Sequence, residues 1–229
     1  MKRRSYRATL AIAGFVLLLT ALLALAAWLY ARTWAPSRAD YPMQGLSVSA
    51  DTGPIEWGTI RAAHPDFAYI RASAGTRRDL AFAANLTGSR ALGIRVGVVH
   101  DFDLCRSPAD QATMFMTTVP HDNALLPPAV RLALTPGCDQ RPGRDAMLAA
   151  LNTFLNLIEA HSGKPAVLRV SPAFEALYGV GGGINRTLWL ERNFMKPAYA
   201  DRPWVIWTAT DMRRLDGVDG PVEWDVVTP

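Results

Sequence analysis

An uncharged apolar segment near the N-terminus limits what the first part of this chain can form. Residues 9–30 contain no charged side chain. As a helix with a rise of 1.5 Å per residue, they would extend roughly 33 Å, and the hydrocarbon core of a bilayer is about 30 Å thick. We therefore predict one N-terminal transmembrane helix over residues 9–30.

The charges before this segment predict its orientation. Lys2, Arg3, Arg4 and Arg7 precede it without any acidic residue. Basic residues of this kind are retained on the cytoplasmic side of a membrane. We therefore expect a cytoplasmic basic tail at residues 1–8 and a single membrane pass, with the rest of the chain in the periplasm or outside the cell.

A cleaved signal peptide is the alternative, because small residues such as Ala26 and Ala27 lie near the end of the apolar run. The run is longer than the ~7–15 residues of a signal-peptide core, which favours an uncleaved anchor.

The net charge of +4 does not indicate nucleic-acid binding. Five of the 24 basic residues lie within residues 1–32, and the remaining chain is close to neutral. It shows no basic face for a polyanion. Residues 31–43 are rich in proline, serine and charge, as is typical of a linker. Residues 44–229 are long enough for one folded domain with a substantial core.

Strand-like and helix-like patterns alternate through this domain and predict an α/β fold. A barrel would close so many strands without exposed edges. An open doubly wound sheet is the alternative, although no glycine-rich phosphate loop supports it, and we expect residues 181–183 to form a flexible loop. Predicted strands cover residues 46–48, 67–72, 94–99, 129–134, 166–170, 188–190, 204–207 and 222–227; predicted helices cover 54–63, 80–91, 108–119, 144–161 and 172–178.

Short motifs follow one another through the domain in a characteristic order. They are Gly45-Leu-Ser-Val-Ser49, Ile55-Glu-Trp57, Phe67-Ala-Tyr-Ile-Arg-Ala72, Gly97-Val-Val-His-Asp-Phe102, Gln111-Ala112, Leu126-Pro-Pro128, Pro136-Gly-Cys138, Trp207 and Leu215-Asp-Gly-Val-Asp-Gly220. This order resembles that of family 25 glycoside hydrolases, the Chalaropsis-type lysozymes or N-acetylmuramidases. The resemblance implies a distorted TIM-like (β/α)5β3 barrel. It also implies that the domain is directed at peptidoglycan, which the family cleaves between N-acetylmuramic acid and N-acetylglucosamine.

The residues that correspond to the catalytic carboxylates of the family are mostly of another type. Ser47 stands for the aspartate of the first strand, and Arg131 and Ala133 stand for the D-x-E signature that follows L-P-P. Glu223 corresponds to the last-strand aspartate. Alanine cannot transfer a proton, and an arginine opposes a developing oxocarbenium ion. We therefore expect that standard muramidase chemistry is lost.

Other residues at the predicted barrel mouth are candidates for the missing roles. Asp101 and Asp103 could replace the lost acids, although loop aspartates more often cap turns. Candidate substrate contacts are His100, Phe102, Trp207 and Asp51. His100 could equally be a hydrogen-bonded core residue, and the tryptophans in general favour the core.

Cys105 and Cys138 lie on loops after the third and fourth predicted strands, whose ends are adjacent in a barrel. Because an exported domain meets an oxidising compartment, we predict a disulfide between them. The four histidines are too scattered for a metal site, so we expect neither a metal nor another cofactor.

Together these features predict a protein of the bacterial cytoplasmic membrane that binds peptidoglycan glycan strands, or a cell-wall-associated protein, without hydrolysing them. The sequence leaves two alternatives open. One is an active muramidase or other glycosidase with relocated carboxylates at Asp101, Asp103 or Glu223. The other is a purely structural partner protein with a vestigial cleft.

Overall fold

The computed structural model describes the backbone of residues 2–229 and the side chains from residue 12 onward. The chain divides into a unit that ends at Trp34 and a unit of residues 35–229. Helix α1 (Lys2–Thr33) makes up the first unit. Its segment Ile12–Thr33 is long and apolar enough to cross a membrane, a property that a signal sequence shares. The side chains of the basic tail predicted at residues 1–8 lie outside the described residues.

The second unit is a closed barrel of eight strands with one short additional strand. Strands β1, β2 and β4 to β8 run parallel, and β9 pairs antiparallel with both β8 and β1. Pairing of β1 with β2 closes the barrel. The strands are β1 (Gln44–Val48), β2 (Phe67–Ala74), β3 (Arg77–Arg78), β4 (Arg95–Phe102), β5 (Ala129–Leu132), β6 (Val167–Val170), β7 (Thr187–Glu191), β8 (Ile206–Arg213) and β9 (Val222–Val227).

Helices connect the parallel strands. The caps agree with the sequence: Ser107 and Ser171 each accept a hydrogen bond from a backbone N–H of the following helix, and Gly163 ends the longest helix in a left-handed conformation. The helices are α2 (Trp57–Ile60), α3 (Phe82–Ala91), α4 (Pro108–Thr118), α5 (Arg144–Ser162), α6 (Pro172–Tyr178) and α7 (Val180–Gly183), with 3₁₀ turns at Ala50–Thr52 and Arg61–Ala63.

Large apolar side chains fill the lower part of the barrel. Tyr69 and Trp189 meet edge to face there, with ring centroids 4.9 Å apart. Gly97 makes room for them, since a Cβ at this position would lie 2.3 Å from the Tyr69 ring. The buried members of this inner core are Phe67, Tyr69, Val99, Ala129, Val167, Trp189 and Ile206.

The fold confirms the predicted eight-stranded barrel, and three local predictions need correction. Residues 181–183 belong to helix α7 instead of a flexible loop. The strand predicted at 204–207 begins only at Ile206. The helix predicted at 54–63 is reduced to α2 and a 3₁₀ turn.

Candidate functional site

Charged side chains form a ring at the carboxyl ends of the barrel strands. Asp101 of β4 is in register with Arg131 of β5, and Arg131 with Arg169 of β6. Each lies two positions beyond a residue of the inner core, so each points into the barrel. We call the following six residues the mouth cluster: Arg71, Asp101, Arg131, Arg169, Glu191 and Glu223.

Four members of the mouth cluster form one chain of ion pairs. The Nε atoms of Arg131 and Arg169 both donate to Oε1 of Glu191, at 2.8 and 2.6 Å. The two terminal nitrogens of Arg169 donate to the two carboxylate oxygens of Glu223, each at 2.7 Å. This bidentate geometry is the strongest form of such a pair. The chain links β5, β6, β7 and β9 across the opening.

Burial and pairing fix the charges along this chain. The Arg169 side chain is only 2% exposed, and its guanidinium lies 4.9 Å from the centroid of the Trp189 ring. Burial would lower the pKa of Arg169, but the carboxylates of Glu223 and Glu191 raise it well above its usual value. Burial would likewise raise the pKa of Glu191, but the charges of Arg169 and Arg131 lower it. Arg169 and Glu191 are therefore both charged at neutral pH.

Arg71 holds a second group of carboxylates at the mouth. Its Nε donates to Asp79 at 2.7 Å, and a terminal nitrogen lies 2.7 Å from Asp51 and 3.6 Å from Asp101. Asp79 also accepts from the backbone N–H of Ala50 at 3.0 Å. These contacts tie the loop after β1 to the rim of the barrel.

Asp101 is the mouth-cluster carboxyl group that lies next to both Arg71 and Arg131. Burial raises its pKa, although the charges of Arg131 and Arg71 act in the opposite direction. Its side chain is nevertheless 24% exposed. A partly accessible carboxyl group with a raised pKa has the properties of a proton donor.

A fully buried aspartate lies one layer below the cluster. Asp225 accepts hydrogen bonds from the hydroxyls of Ser47 and Thr208, each at 2.7 Å. Trp189 Nε1 in turn donates to Thr208 at 2.8 Å. Burial raises the pKa of Asp225 to about 7, against the opposing charge of Arg169.

Two cavities open at this end of the barrel and share part of their lining. The barrel cavity, of about 250 Å³, lies over the strand ends, and the loop cavity, of about 500 Å³, lies between the β2–β3 turn and the loops after β4 and β5. Arg71, Asp101 and Arg131 line both. The barrel cavity also has Ser47, Asp51, Arg169, Asp211 and Glu223; the loop cavity also has Arg77, Asp103, Arg106 and Ala133.

Comparison with known families assigns this architecture. The sequence model of glycosyl hydrolases family 25 matches residues 46–218, which include every strand from β2 to β8. The chain belongs to glycosyl hydrolases family 25.

Relatives of this family 25 chain include proteins from several bacteria. It is 24% identical over 198 residues to the uncharacterized protein YegX of Escherichia coli strain K12, covering 82% of this chain and 70% of that protein. It is 41% identical over 59 residues to lysozyme M1 of Streptomyces globisporus, covering 25% of this chain and 20% of that protein.

Solved structures share the barrel. A family 25 glycosyl hydrolase from Bacillus anthracis superposes with a TM-score of 0.77 at 25% identity, covering 86% of this chain and 92% of that chain. A lysozyme from Streptomyces coelicolor has the same fold, with a TM-score of 0.73 at 24% identity, covering 82% of this chain and 92% of that chain.

The four positions predicted to correspond to family 25 carboxylates all lie at the mouth. Ser47, Arg131 and Glu223 line the barrel cavity, and Ala133 lines the loop cavity. The Ser47 hydroxyl donates a hydrogen bond to Asp225, and the Glu223 carboxylate accepts hydrogen bonds from both terminal nitrogens of Arg169. At the two positions where the family resemblance implies D-x-E, this chain carries Arg131 and Ala133, and the Arg131 guanidinium lines both cavities.

Two of the four predicted substrate contacts, His100 and Trp207, are buried and line neither cavity. His100 has no exposed surface, because its ring nitrogens meet Ser73 and Gln111 at 2.8 and 3.2 Å. His100 is therefore a hydrogen-bonded core residue, which was the alternative to the predicted substrate contact. Asp51 does lie at the barrel cavity.

Trp207 needs the same correction, whereas Phe102 lines the loop cavity although its ring points out of the barrel. The Phe102 ring packs on Phe154 at a centroid distance of 5.4 Å. Trp207 packs edge to face on Tyr41 and Trp204, at 5.7 and 6.4 Å. Both side chains are 3% exposed and support the barrel from outside.

A disulfide forms part of the wall of the loop cavity. Cys105 and Cys138 form the predicted disulfide, which joins the loops after β4 and β5. Asp103 lies close enough to both sulfurs to resemble a metal-binding group, but the sulfurs are bonded to each other and are not available as thiolate ligands. Asp103 itself accepts from the backbone N–H of Cys105 at 2.8 Å, as a turn-capping aspartate does.

Sequence reasoning missed the residues that organise the site: Arg71, Asp79, Arg169, Glu191 and Asp225. A signal for Arg169 and Glu191 was present, since each is a charged residue within or at the end of an otherwise apolar predicted strand. A charge at an inward position of a buried strand requires a partner of opposite sign.

Proposed function

We propose that this protein is a membrane-anchored family 25 domain that binds peptidoglycan glycan strands without hydrolysing them. Peptidoglycan is supported as the ligand by membership of a glycosyl hydrolase family whose structural relatives include lysozymes and muramidases. The loss of hydrolysis is inferred from the residues of this chain itself.

One observation carries the proposal: Arg131 and Ala133 stand where the family resemblance implies an aspartate and a glutamate. Glycoside cleavage needs a protonated acid at the leaving oxygen and a negative group near the developing cation. Ala133 supplies neither. Arg131 places a positive charge at the floor of the cleft, which opposes the transition state.

The remaining carboxylates at the mouth are engaged by arginines. Glu191 accepts from two guanidiniums, and Glu223 accepts a bidentate pair. A carboxylate held in this way is a poor nucleophile, because its oxygens are already engaged by guanidinium N–H groups. The site keeps the shape of a sugar-binding cleft while its acids serve the charge balance of the barrel.

The proposed layout places this cleft outside the cytoplasm. Residues 1–8 are the cytoplasmic tail, 9–30 the anchor, 31–43 the linker and 44–229 the wall-facing domain. The apolar helix α1 and the disulfide support this layout, since disulfides persist in oxidising compartments. The protein would then present its barrel to the wall from the bacterial cytoplasmic membrane.

Two assays on the same purified protein test the proposal. We expect the full chain in detergent to co-sediment with purified peptidoglycan sacculi, and to release no reducing sugar from them. A hydrolytically active family 25 lysozyme is the positive control for release. Robust release that Glu223→Gln abolishes would overturn the proposal, and failure to co-sediment would favour a vestigial cleft.

A second candidate function is a glycosidase that uses Asp101 as its proton donor. The raised pKa and partial exposure of this carboxyl group favour it. We expect such an enzyme to release reducing sugar slowly. Asp101→Asn should abolish this release, and the control Asp216→Asn, at an exposed loop aspartate, should leave it unchanged. Absence of release from the unmodified protein at acidic and neutral pH would exclude this candidate.

A further inference from the structure

The loop cavity is large enough to hold part of a ligand and is basic. Its volume of about 500 Å³ lies within the range of small-molecule sites. The titratable residues in its lining are four arginines and two aspartates, so its formal charge is positive: Arg71, Arg77, Arg106, Arg131, Asp101 and Asp103.

Several of these guanidinium groups have N–H groups that make no hydrogen bond within the described residues. Arg131 uses only its Nε on Glu191, its side chain is 35% exposed, and its terminal nitrogens meet no partner among the described residues. Arg106 is 59% exposed, and its nearest carboxylate contact is 3.8 Å, to Asp103. Within the described part of the chain, the Arg77 side chain makes no ion pair. These three arginines can therefore bind an anion without losing a close ion pair that they already make.

The position of Ala133 explains why an anion from outside would fit. It lines this cavity at the place where the family resemblance implies a glutamate. A methyl group there removes both the bulk and the negative charge of that side chain. The space and the charge balance then favour a carboxylate that a ligand brings.

We propose that the loop cavity binds a carboxylate group carried by the glycan ligand. This inference rests on the proposed function and names the chemical group that the cleft selects. Peptidoglycan offers two sources, the lactyl carboxylate of muramic acid once its peptide is removed and the carboxylates of intact stem peptides. The two aspartates in the lining favour a singly charged carboxylate over a doubly charged phosphate.

Binding of defined glycans to the full chain in detergent tests this inference. The probes are glycan strands freed of peptide by an amidase, the same strands after methyl esterification of the lactyl group, peptide-bearing strands, and neutral chitin oligosaccharides of similar length. We expect a free carboxylate to improve affinity about tenfold over the ester and over chitin. The gain should shrink as salt is added. Comparison of the peptide-free and peptide-bearing strands identifies the source of the carboxylate.

The matched variants use exposed arginines, so that the barrel is left intact. We expect the double variant Arg77→Gln/Arg106→Gln to lose most of the preference for a free carboxylate and to keep its affinity for chitin. Arg61→Gln is the control, because Arg61 is exposed on the 3₁₀ turn before β2, at the opposite end of the barrel.

Four outcomes would overturn the inference. Equal affinity for the free acid and its ester, or an unchanged preference in the double variant, would overturn it alone and leave the proposed function standing. Displacement of the strands by inorganic phosphate at concentrations where acetate has no effect would assign the cavity to phosphate. Absence of binding to every glycan would overturn the proposed function together with this inference.

Discussion

At the scale of single residues, Arg169 holds the charge balance of the barrel mouth. It is buried, and it pairs with two carboxylates at once. Removing one partner of a buried ion pair leaves an uncompensated charge and costs roughly 3–5 kcal/mol. We expect Arg169→Met to lower the free energy of unfolding by about 3 kcal/mol or more, measured by denaturant titration.

Two comparisons test the cause of that loss. Arg61→Gln, at an exposed arginine, should change stability by less than about 0.5 kcal/mol. Adding Glu223→Gln to Arg169→Met should restore part of the lost stability, because it removes one of the unpaired charges. A cost below about 1 kcal/mol for Arg169→Met would contradict our description of the ion-pair chain.

Asp225 should make the stability of the domain depend on pH. Its pKa is about 7 in the folded protein and about 4 in an unfolded chain, so between these values only the folded state holds the proton. The contribution of Asp225 to stability should fall as the pH rises from about 4 through about 7 and then level off, whereas buried His100, whose pKa burial lowers to about 4, contributes in the opposite direction over part of this range. At ~1.4 kcal/mol per unit, Asp225 alone contributes at most about 4 kcal/mol to that fall.

Thermal unfolding between pH 5 and pH 8 checks this expectation. Asp225→Asn should lose less stability than the unmodified protein as the pH rises from 5 to 8, since the amide has no proton to lose and the hydroxyls of Ser47 and Thr208 can still bond to it. Asp216→Asn, at an exposed loop position, should leave the profile unchanged. An equally steep profile in Asp225→Asn would assign the pH dependence to other groups.

At the scale of elements, the sequence predicts where the strands lie better than which way their side chains point. All eight predicted strands overlap observed ones, because β-branched and aromatic runs between turn residues are a strong local signal. The sequence predicted cleft contacts at Phe102 and Trp207, yet both rings pack outside the barrel and only Phe102 lines a cavity, because the inward set of a strand is decided by its partners in the sheet. The two-residue strand β3 has no local signal at all.

The disulfide is the element-scale feature with a direct effect on stability. It joins residues 33 positions apart. In the loop-entropy model, such a closure stabilises the folded state by roughly 3–4 kcal/mol. We expect the melting temperature to fall by several degrees when Cys105 and Cys138 are both replaced by serine.

Reductant provides the control for that prediction. It should lower the melting temperature of the unmodified protein to about that of the double variant, and it should not affect the double variant itself. Equal melting temperatures with and without reductant would show that the closure adds no stability.

At the scale of the whole molecule, the sequence predicted which carboxylates the site lacks and which residues stand in their place, but not which groups those residues pair with. The missing carboxylates are visible from a colinear series of motifs, which needs no structure. The pairing of Arg131 with Glu191, 60 residues apart, depends on barrel closure and leaves no mark in the local pattern. Contacts between distant strands are therefore the part of this site that only the fold reveals.

The whole molecule also carries the prediction about its anchor. If α1 is retained, the mature protein should keep its full mass of 25.0 kDa and stay in the membrane pellet after a carbonate wash. Cleavage would remove about 3 kDa, on the order of 110 Da for each of some 30 residues, and would release the domain. Mass spectrometry of protein purified from membranes separates the two.

The chain of ion pairs across the barrel also bears on how this protein could change over generations. Replacing Arg131 by an aspartate would leave Glu191 with one arginine and set a second negative group beside it. If the proposed loss of hydrolysis holds, an aspartate at residue 131 would not restore it by itself, because the ion pairs that Arg131 and Arg169 make with Glu191 would have to be rebuilt at the same time. The two arginines that share Glu191 therefore oppose a single-step return of a carboxylate to this position.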